Sequence, residues 1–232
     1  MNRNEFIKKI KEEFNIKNEK YIMEKIDKYI VLLNEYNKKF NLTRLNKDDI
    51  IFSQYFYESI IPYIGFDFSK IKELLDIGSG SGIPGIVLKI IFNDINLTII
   101  ESNRKKCEFL QILTNELNLE NVKIIYDRVE NCSKIFTESF DLITCRAVAS
   151  LKILIEICFP LSKIGATLIF PKSINYLDEL NDAQTIIKNV FAQNYKIKKF
   201  VYNNKEFNTF FFTKTNKTPT LYPRQWKDII KS

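Results

Sequence analysis

The feature that most constrains the fold of this 232-residue chain is a glycine-rich segment at residues 76–85, which reads Asp-Ile-Gly-Ser-Gly-Ser-Gly-Ile-Pro-Gly. We call it the glycine loop. An apolar stretch typical of a strand precedes it, and one typical of a helix follows it. The glycines permit a tight turn and a close approach of a ligand, and Pro84 suits the first turn of a helix. The segment therefore predicts a strand-to-helix turn whose free N–H groups can face a ligand.

The apolar pattern around the glycine loop predicts an α/β fold with a parallel sheet. Short stretches that predict strands alternate with longer stretches of helical periodicity, as in βαβ units. The predicted strands are 72–77, 96–101, 121–126, 140–145 and 166–170. The predicted helices are 84–92, 103–118, 150–160 and 175–192. Two more predicted strands flank a hairpin turn at Asn203-Asn204-Lys205, and they are 195–202 and 207–214.

The N-terminal part of the chain predicts helices and no strand. Residues 3–14 and 18–40 place apolar side chains at helical spacing, with Asn18 as a candidate N-cap, and 48–61 shows a similar pattern. We therefore divide the chain into a helical extension, residues 1–65, and an α/β domain, residues 66–232, which ends in a basic hairpin and tail.

The types of residue present exclude several kinds of chemistry. The chain has no histidine, which excludes Ser-His-Asp and Cys-His catalysis and any histidine metal site. Its cysteines stand at least 13 positions apart, too far for the close pairs of a zinc site. We predict that these thiols pack in the core and that the protein holds no metal, with a reactive thiol as the alternative. They are Cys107, Cys132, Cys145 and Cys158.

Positive charge is concentrated in the last part of the sequence. Residues 195–232 contain nine basic and two acidic side chains, whereas 26 basic and 26 acidic side chains cancel in residues 1–194. This distribution predicts contact with a polyanion such as nucleic acid. The alternative is a gene of biased base composition, since the chain is rich in Ile, Lys and Asn. No apolar run approaches the roughly 18 residues of a membrane span, and charges occur throughout the N-terminus, so we predict a cytoplasmic location and no membrane partner.

An acidic residue extends the pattern of the glycine loop. Glu101 ends the second predicted strand, 23 positions after Gly78, where a carboxylate can accept hydrogen bonds from ribose hydroxyls. Together they predict a nucleoside cofactor, against the alternatives of a plain tight turn and a solvated strand end. The Gly-x-Gly-x-Gly spacing after Asp76 resembles motif I of class I methyltransferases, with an NAD-dependent enzyme as the runner-up.

Further motifs resemble one family, the RsmG (GidB) methyltransferases of 16S ribosomal RNA, from about residue 36 to about residue 226. The matching segments are Tyr36-Asn37 with Asn41-Leu42-Thr43, Asp76 to Ile86 with its Pro84-Gly85, Arg128-Val129-Glu130, Cys145 to Leu151, Pro171-Lys172-Ser173 and Tyr222-Pro223-Arg224-Gln225. Four positions depart from the family's pattern: Tyr36 replaces tryptophan, Tyr55 histidine, Ser173 glycine and Gln225 arginine.

The resemblance implies a Rossmann-like class I methyltransferase fold dependent on S-adenosylmethionine. Its sheet would be seven-stranded and mostly parallel, with the last strand antiparallel, behind the helical extension. It implies cofactor contacts at Gly78 and Ile83 in the glycine loop, at Val129 and Glu130 near the adenine, and at Arg146 beside the methionine end. We add Gly80 and Glu101 to these candidates from the loop pattern itself.

The implied reaction is methylation of ring nitrogen 7 of a guanine in 16S rRNA, nucleotide 527 by family, near the decoding centre. That nitrogen carries a lone pair and no proton, so we expect no general base and no catalytic residue beyond those that orient the reactants. The alternatives are a small-molecule methyltransferase and a cofactor-binding module without turnover. We expect 16S rRNA as the partner, free or in an assembly particle, and a monomer.

Other candidates each carry an alternative. For Arg146 the alternatives are a functional cation and a surface ion pair. For Lys172 they are a contact to RNA and a solvated lysine. Arg224 contacts phosphate, or packs with Tyr222 and Trp226 in the tail. Asn41, a further candidate on the RNA side, caps the extension or braces it against the cofactor domain. We expect the three phenylalanines at 210–212 in the core.

Overall fold

Seven strands form one sheet in the computed structural model, which describes residues 1–43, 50–146 and 148–231. The strands are β1 Glu73–Ile77, β2 Asn96–Glu101, β3 Val122–Tyr126, β4 Phe140–Cys145, β5 Ser162–Lys172, β6 Tyr195–Tyr202 and β7 Lys205–Thr213. Their spatial order is β3-β2-β1-β4-β5-β7-β6. The first five strands are parallel, and β7 pairs antiparallel with both β5 and β6. The predicted sheet is therefore confirmed.

Helices cover both faces of this sheet. The α-helices are α1 Arg3–Phe14, α2 Glu19–Phe40, α3 Glu58–Ile60, α4 Gly85–Ile91, α5 Arg104–Glu116, α6 Val129–Cys132, α7 Leu151–Cys158, α8 Tyr176–Asp182, α9 Gln184–Asn189 and α10 Trp226–Ile229. A π-helix, Ile51–Tyr57, leads into α3, and a 3-10 helix, Ile61–Tyr63, follows it. Among the described residues, no helix has both the length and the apolar character to cross a membrane.

Three predicted elements differ from the observed ones. The helix predicted at 175–192 is two helices that meet at Ala183, a buried turn residue across which the apolar spacing continues. Strand β5 extends beyond 166–170, because its polar ends pair with neighbouring strands without an apolar signal. The helix predicted at 48–61 starts outside the described residues. From Ile51 it is a π-helix to Tyr57 and then the short helix α3, Glu58–Ile60.

The extension and the sheet share one hydrophobic core. Buried side chains of α1, α2 and the π-helix pack in the same cluster as buried side chains of β1, β2 and β4; examples are Phe6, Leu33 and Phe56 with Leu74, Ile99 and Leu142. Burial of each such side chain contributes about 1.5–3 kcal/mol. Strands occur among the described residues only after residue 65, while the helices of residues 1–65 share a core with the sheet.

A second core cluster lies on the opposite face of the sheet, against α7 and α9. The phenylalanines of β7 divide between the clusters: Phe210 and Phe212 belong to this one, and Phe211 faces the extension. All four cysteines are buried and free, so both core predictions are confirmed.

The topology brings the candidate residues that follow β1, β2 and β4 to the carboxyl-end edge of the sheet. The strand order reverses between β1 and β4, and ligands of open α/β sheets bind at the carboxyl ends of strands beside such a reversal. The hairpin of β6 and β7 turns at the same edge through Asn203 and Asn204, both in the left-handed region with φ of 48° and 60°. Lys205, predicted in the turn, already belongs to β7.

Candidate functional site

Asp76 at the end of β1 organises the glycine loop. Its Oδ2 accepts hydrogen bonds from the Gly85 N–H at 2.9 Å and from the Ser79 hydroxyl, so one carboxylate joins both ends of the loop. Burial raises the pKa of Asp76 to about 6, against the lowering effect of these two hydrogen bonds. Its other oxygen, Oδ1, is buried and has no hydrogen-bond partner among the described residues.

The loop glycines serve two different purposes. Gly82 has a φ of 105°, and a Cβ there would stand 2.5 Å from the Tyr29 hydroxyl oxygen, so packing against α2 requires glycine. A Cβ at Gly78 would stand 2.4 Å from a methyl carbon of Val148. At Gly80, by contrast, the nearest atom would be the Lys106 Nζ at 4.0 Å. Packing within the protein therefore explains the glycine at position 82, the φ of 67° favours glycine at position 78, and Gly80 leaves space for a ligand. The cofactor contacts predicted at Gly78 and Gly80 stay predictions.

Glu101 lies at the end of β2 and joins this strand to the loop. Its Oε2 accepts a hydrogen bond from the Gly80 N–H at 3.0 Å, and its Oε1 accepts one from the Asn103 N–H at 2.9 Å. The residue is only 5% exposed, so the alternative of a solvated strand end is wrong. Each carboxylate oxygen has two lone pairs, so Glu101 keeps acceptor capacity for a ligand.

The segment after β3 places Val129 and Glu130 at the same edge. Val129 is buried, and the Glu130 carboxylate forms an ion pair with Arg128. The Arg128 guanidinium lies over the Trp226 ring, 4.3 Å from its centroid. The C-terminal tail therefore contacts the segment that the family resemblance places near the adenine.

Arg146 follows β4, and its guanidinium is largely buried. Its Nη1 is buried without a hydrogen-bond partner among the described residues. Burial lowers the pKa of Arg146, while the charges of Glu58 and Asp76 act in the opposite direction. The alternative of a surface ion pair is therefore wrong. Since an unsatisfied buried donor costs about 1–3 kcal/mol, Arg146 is prepared for an anionic or acceptor group.

Tyrosines of the extension also reach this edge, and sequence reasoning missed them. The Tyr63 hydroxyl bonds the Thr144 hydroxyl on β4, and the Tyr29 and Tyr55 hydroxyls lie against Ser81 in the glycine loop. Tyr55 belongs to the π-helix, a rare conformation that often marks functional sites. Apolar spacing included Tyr29, and Tyr55 was noted as the position of a family histidine, but no local pattern shows where a hydroxyl at the far end of a ring points.

Comparison with known proteins identifies the family. Residues 22–208 match the family model described as rRNA small subunit methyltransferase G. The chain is 44% identical over 208 residues to ribosomal RNA small subunit methyltransferase G of Ureaplasma parvum serovar 3, covering 88% of this chain and 97% of that one. It is 45% identical over 235 residues to the enzyme of that name from Malacoplasma penetrans, covering 100% and 99%.

The chain belongs to this family. The resemblance inferred from the motifs is thereby confirmed, and the NAD-dependent alternative is excluded. A solved structure, cofactor-bound Rv0187 from MTB, superposes with a TM-score of 0.59 at 11% identity, covering 83% of this chain and 90% of that one. At this identity the likeness concerns the fold alone.

S-adenosylmethionine is the methyl donor of this family, and the site fits it. Two buried atoms lack partners at the strand reversal: a donor, Arg146 Nη1, and an acceptor, Asp76 Oδ1. The donor complements the carboxylate of an amino acid, and the acceptor complements its ammonium group. Space beside Gly80, next to the Glu101 carboxylate, suits the close approach of a sugar. Within the described residues no cluster of His, Cys, Asp or Glu could hold a metal.

Lys172 at the end of β5 faces the protein. Its ammonium forms an ion pair with Glu179 at 2.7 Å and donates to the Ala149 carbonyl at 2.7 Å, and its side chain is 6% exposed. The alternative of a solvated lysine is therefore wrong. Glu179 also accepts a hydrogen bond from the Leu151 N–H at 2.7 Å, so Lys172 and Glu179 together fix the start of α7. Ser173, next along the chain, is exposed.

The remaining RNA-side candidates occupy two ends of the fold. Arg224 forms a forked ion pair with Glu156, from Nε to Oε1 at 2.8 Å and from Nη2 to Oε2 at 2.6 Å, and this pair attaches the tail to α7. Gln225 beside it is exposed and precedes α10. Asn41 ends α2 as its C-cap, and its N–H donates to the Asn37 carbonyl at 3.0 Å. Its side chain is exposed, and of the two predicted roles the cap is observed.

Proposed function

We propose that this protein transfers the methyl group of S-adenosylmethionine to ring nitrogen 7 of a guanine in 16S rRNA, the nucleotide numbered 527 by family. The substrate class is supported by the names of relatives that the chain matches over nearly its whole length. The observation that carries the proposal is the buried Arg146 Nη1 at the strand reversal, which has no hydrogen-bond partner among the described residues, beside a glycine loop bonded to Glu101.

In this proposal each candidate residue has a separate task. Arg146 binds the carboxylate of the amino acid end of the cofactor, a charge-assisted contact in a site of low dielectric. Glu101 accepts hydrogen bonds from the ribose, next to the backbone at Gly80. Val129 contributes an apolar surface to the adenine side, where Glu130 is oriented by its ion pair with Arg128. Ile83 and Gly78 are the remaining residues of the glycine loop that contact the cofactor.

The chemistry requires orientation rather than proton transfer. When bound, S-adenosylmethionine supplies an electrophilic methyl group on a positively charged sulfur. A guanine N7 lone pair needs no base to expose it, and a chain without histidine provides no base of the common kind. Burial raises the pKa of Tyr55 to about 12, so its hydroxyl stays protonated at neutral pH and acts as a hydrogen-bonding group. The contribution of the protein is to hold the reactants in line.

The RNA surface differs from the one that the sequence suggests. Four of the nine basic side chains in residues 195–231 form ion pairs, and these are Lys199 with Glu206, Lys205 with Glu58, Lys214 with Glu138 and Arg224 with Glu156. Lys172 is paired as well. We propose that other lysines of the hairpin and tail, such as Lys196 and Lys217, contact phosphates, and that Lys172 and Arg224 stabilise the fold near the site. Asn41, exposed at the end of α2, stays a candidate RNA contact.

Methyl transfer to defined RNA substrates tests the proposal. Small-subunit particles and free 16S rRNA, both from cells that lack the modification, are incubated with labelled S-adenosylmethionine, and the product nucleoside is identified. We expect 7-methylguanosine at one site. Cofactor binding without label in either substrate would exclude the rRNA assignment and leave a small-molecule acceptor as the next hypothesis.

A further inference from the structure

Two tyrosine hydroxyls of the helical extension converge on one residue of the glycine loop. The Tyr55 hydroxyl lies 2.7 Å from the Ser81 Oγ and 3.1 Å from the Ser81 carbonyl oxygen. The Tyr29 hydroxyl, from α2, donates to the same carbonyl and lies 3.3 Å from the Tyr55 hydroxyl. Ser81 is the residue between Gly80 and Gly82, at the middle of the loop.

Both tyrosines are held rigidly in their positions. Tyr29 is fully buried and Tyr55 is 1% exposed, and their rings meet edge to face with centroids 6.1 Å apart. Each ring also packs edge to face against Phe56, at 5.2 Å and 5.0 Å. Burial raises the pKa of both hydroxyls, so both remain neutral and able to donate at physiological pH. Rings fixed by packing orient their hydroxyls at little further cost in entropy.

The loop they contact is rich in glycine, and its other hydrogen bonds hold it at Gly78, Ser79, Gly80 and Gly85. It contains four glycines within residues 76–85, and glycine has the greatest conformational freedom of all residues. Asp76 bonds Ser79 and Gly85, and Glu101 contacts the loop at Gly80. At Ser81, between these contacts, the carbonyl and the hydroxyl meet the tyrosine hydroxyls of the extension. The extension therefore supplies a further fixed point at the middle of the glycine loop, contributed by a distant part of the chain.

We propose that Tyr55 and Tyr29 are positioning residues for the cofactor, which hold the glycine loop through Ser81 in the conformation that binds it. The inference rests on the proposed role of Gly80 and Ile83 in cofactor binding. Neither hydroxyl contacts a reacting atom in this arrangement, because both are directed to the protein. The helical extension, which the sequence assigns no part in the cofactor site, thus forms the support on which that site depends.

A purely structural role makes a different prediction, and the chain offers a matched control. Tyr57 belongs to the same π-helix, is 2% exposed, and donates its hydroxyl to Glu13 at 2.7 Å, away from the glycine loop. Tyr57→Phe and Tyr55→Phe each remove one buried hydroxyl and retain the ring. If the hydroxyls only stabilise the fold, the two variants will lower the melting temperature and leave cofactor affinity unchanged.

The experiment compares Tyr55→Phe, Tyr29→Phe, the double variant, Tyr57→Phe and Ser81→Ala with the wild type. Calorimetry measures the Kd for S-adenosylmethionine, thermal unfolding gives the Tm without ligand, and methyl transfer gives kcat and the KM for the cofactor. We expect Kd and KM to rise about 3- to 10-fold for each Tyr→Phe variant at the loop, the range of one lost hydrogen bond, and further in the double variant. For kcat at saturating cofactor we expect less than about a twofold change.

Two controls separate the possible outcomes. Tyr57→Phe should keep the wild-type Kd, and Ser81→Ala should have a smaller effect than Tyr55→Phe, because the carbonyl of residue 81 still accepts both hydroxyls. The proposal is overturned if the wild type binds cofactor and the double variant binds it equally well, or if Tyr57→Phe weakens binding as much as Tyr55→Phe. A wild type that binds no S-adenosylmethionine would instead overturn the proposed function.

Discussion

The Glu101 carboxylate accepts a hydrogen bond from the Gly80 N–H at 3.0 Å, so the end of β2 and the glycine loop are one unit. Glu101→Ala removes this bond, the bond to Asn103 and the proposed ribose acceptor. Because hydrogen bonds to charged groups contribute about 1.5–3 kcal/mol each, we expect S-adenosylmethionine affinity to fall by about 10- to 100-fold. Calorimetric titration measures this. The Kd of Glu101→Gln, which keeps one acceptor oxygen, should lie between the values of the wild type and Glu101→Ala. Unchanged binding in Glu101→Ala would contradict the assignment of Glu101 to the ribose.

Arg146→Met separates function from stability. The substitution removes a cation proposed to bind the cofactor carboxylate, so the Kd should rise at least about tenfold. The same change relieves a buried donor that has no partner among the described residues, so the free energy of unfolding without ligand should stay equal or increase. Chemical denaturation and cofactor titration on the same samples provide both values. A variant that is less stable and still binds normally would identify Arg146 as a structural residue.

The raised pKa of Asp76 predicts how the stability of the protein depends on pH. Its pKa is raised by burial from 3.8 to about 6, so folding favours the protonated form. The contribution of this group is therefore fully present below pH 4 and is lost as the pH rises through 6, a change of roughly 3 kcal/mol. Asp76→Asn cannot ionise. Between pH 4 and 7 the wild type should thus lose stability relative to Asp76→Asn. Urea denaturation at several pH values will measure the unfolding free energy of both. A constant difference would show that Asp76 keeps an ordinary pKa.

Substitutions in the ion pair of Arg224 and Glu156 test whether Arg224 anchors the C-terminal tail or contacts RNA phosphate. Arg224→Ala leaves Glu156, which is 2% exposed, without its forked partner, and should lower the free energy of unfolding by about 3–5 kcal/mol. The paired substitution Arg224→Met with Glu156→Leu should restore most of this stability. If Arg224 only anchors the tail, the double variant will methylate RNA at close to the wild-type rate. If it contacts phosphate, the rate will stay low and the salt dependence of RNA binding will weaken.

Local features of the site could be predicted from the sequence. The strand before the glycine loop, the loop itself and Glu101 follow from spacing within about thirty residues, and the parallel sheet then brings their carboxyl-end residues together. Arg146, which the family resemblance placed at the methionine end, directly follows the predicted strand 140–145 and so reaches the same end of the sheet.

Contacts between distant parts of the chain could not be predicted. The Tyr29 hydroxyl meets Ser81 across 52 positions, and Arg224 meets Glu156 across 68. Apolar periodicity indicates that a ring is buried and gives no information about the partner of its hydroxyl. Charge counting has the same limit: it included Arg224 in the basic excess of the C-terminal part, whereas Arg224 neutralises Glu156 within the fold. Lys172, a candidate RNA contact, is likewise paired with Glu179.

The most direct test of the account replaces one atom of the substrate. Small-subunit RNA with 7-deazaguanine at the target nucleotide presents carbon in place of N7 and retains the Watson–Crick edge. Transfer of labelled methyl from S-adenosylmethionine is compared between this RNA and its guanine counterpart, in the same assembly state. We predict transfer to guanine and none above background to 7-deazaguanine, with both RNAs bound equally. Equal transfer to both would contradict the proposed N7 methylation.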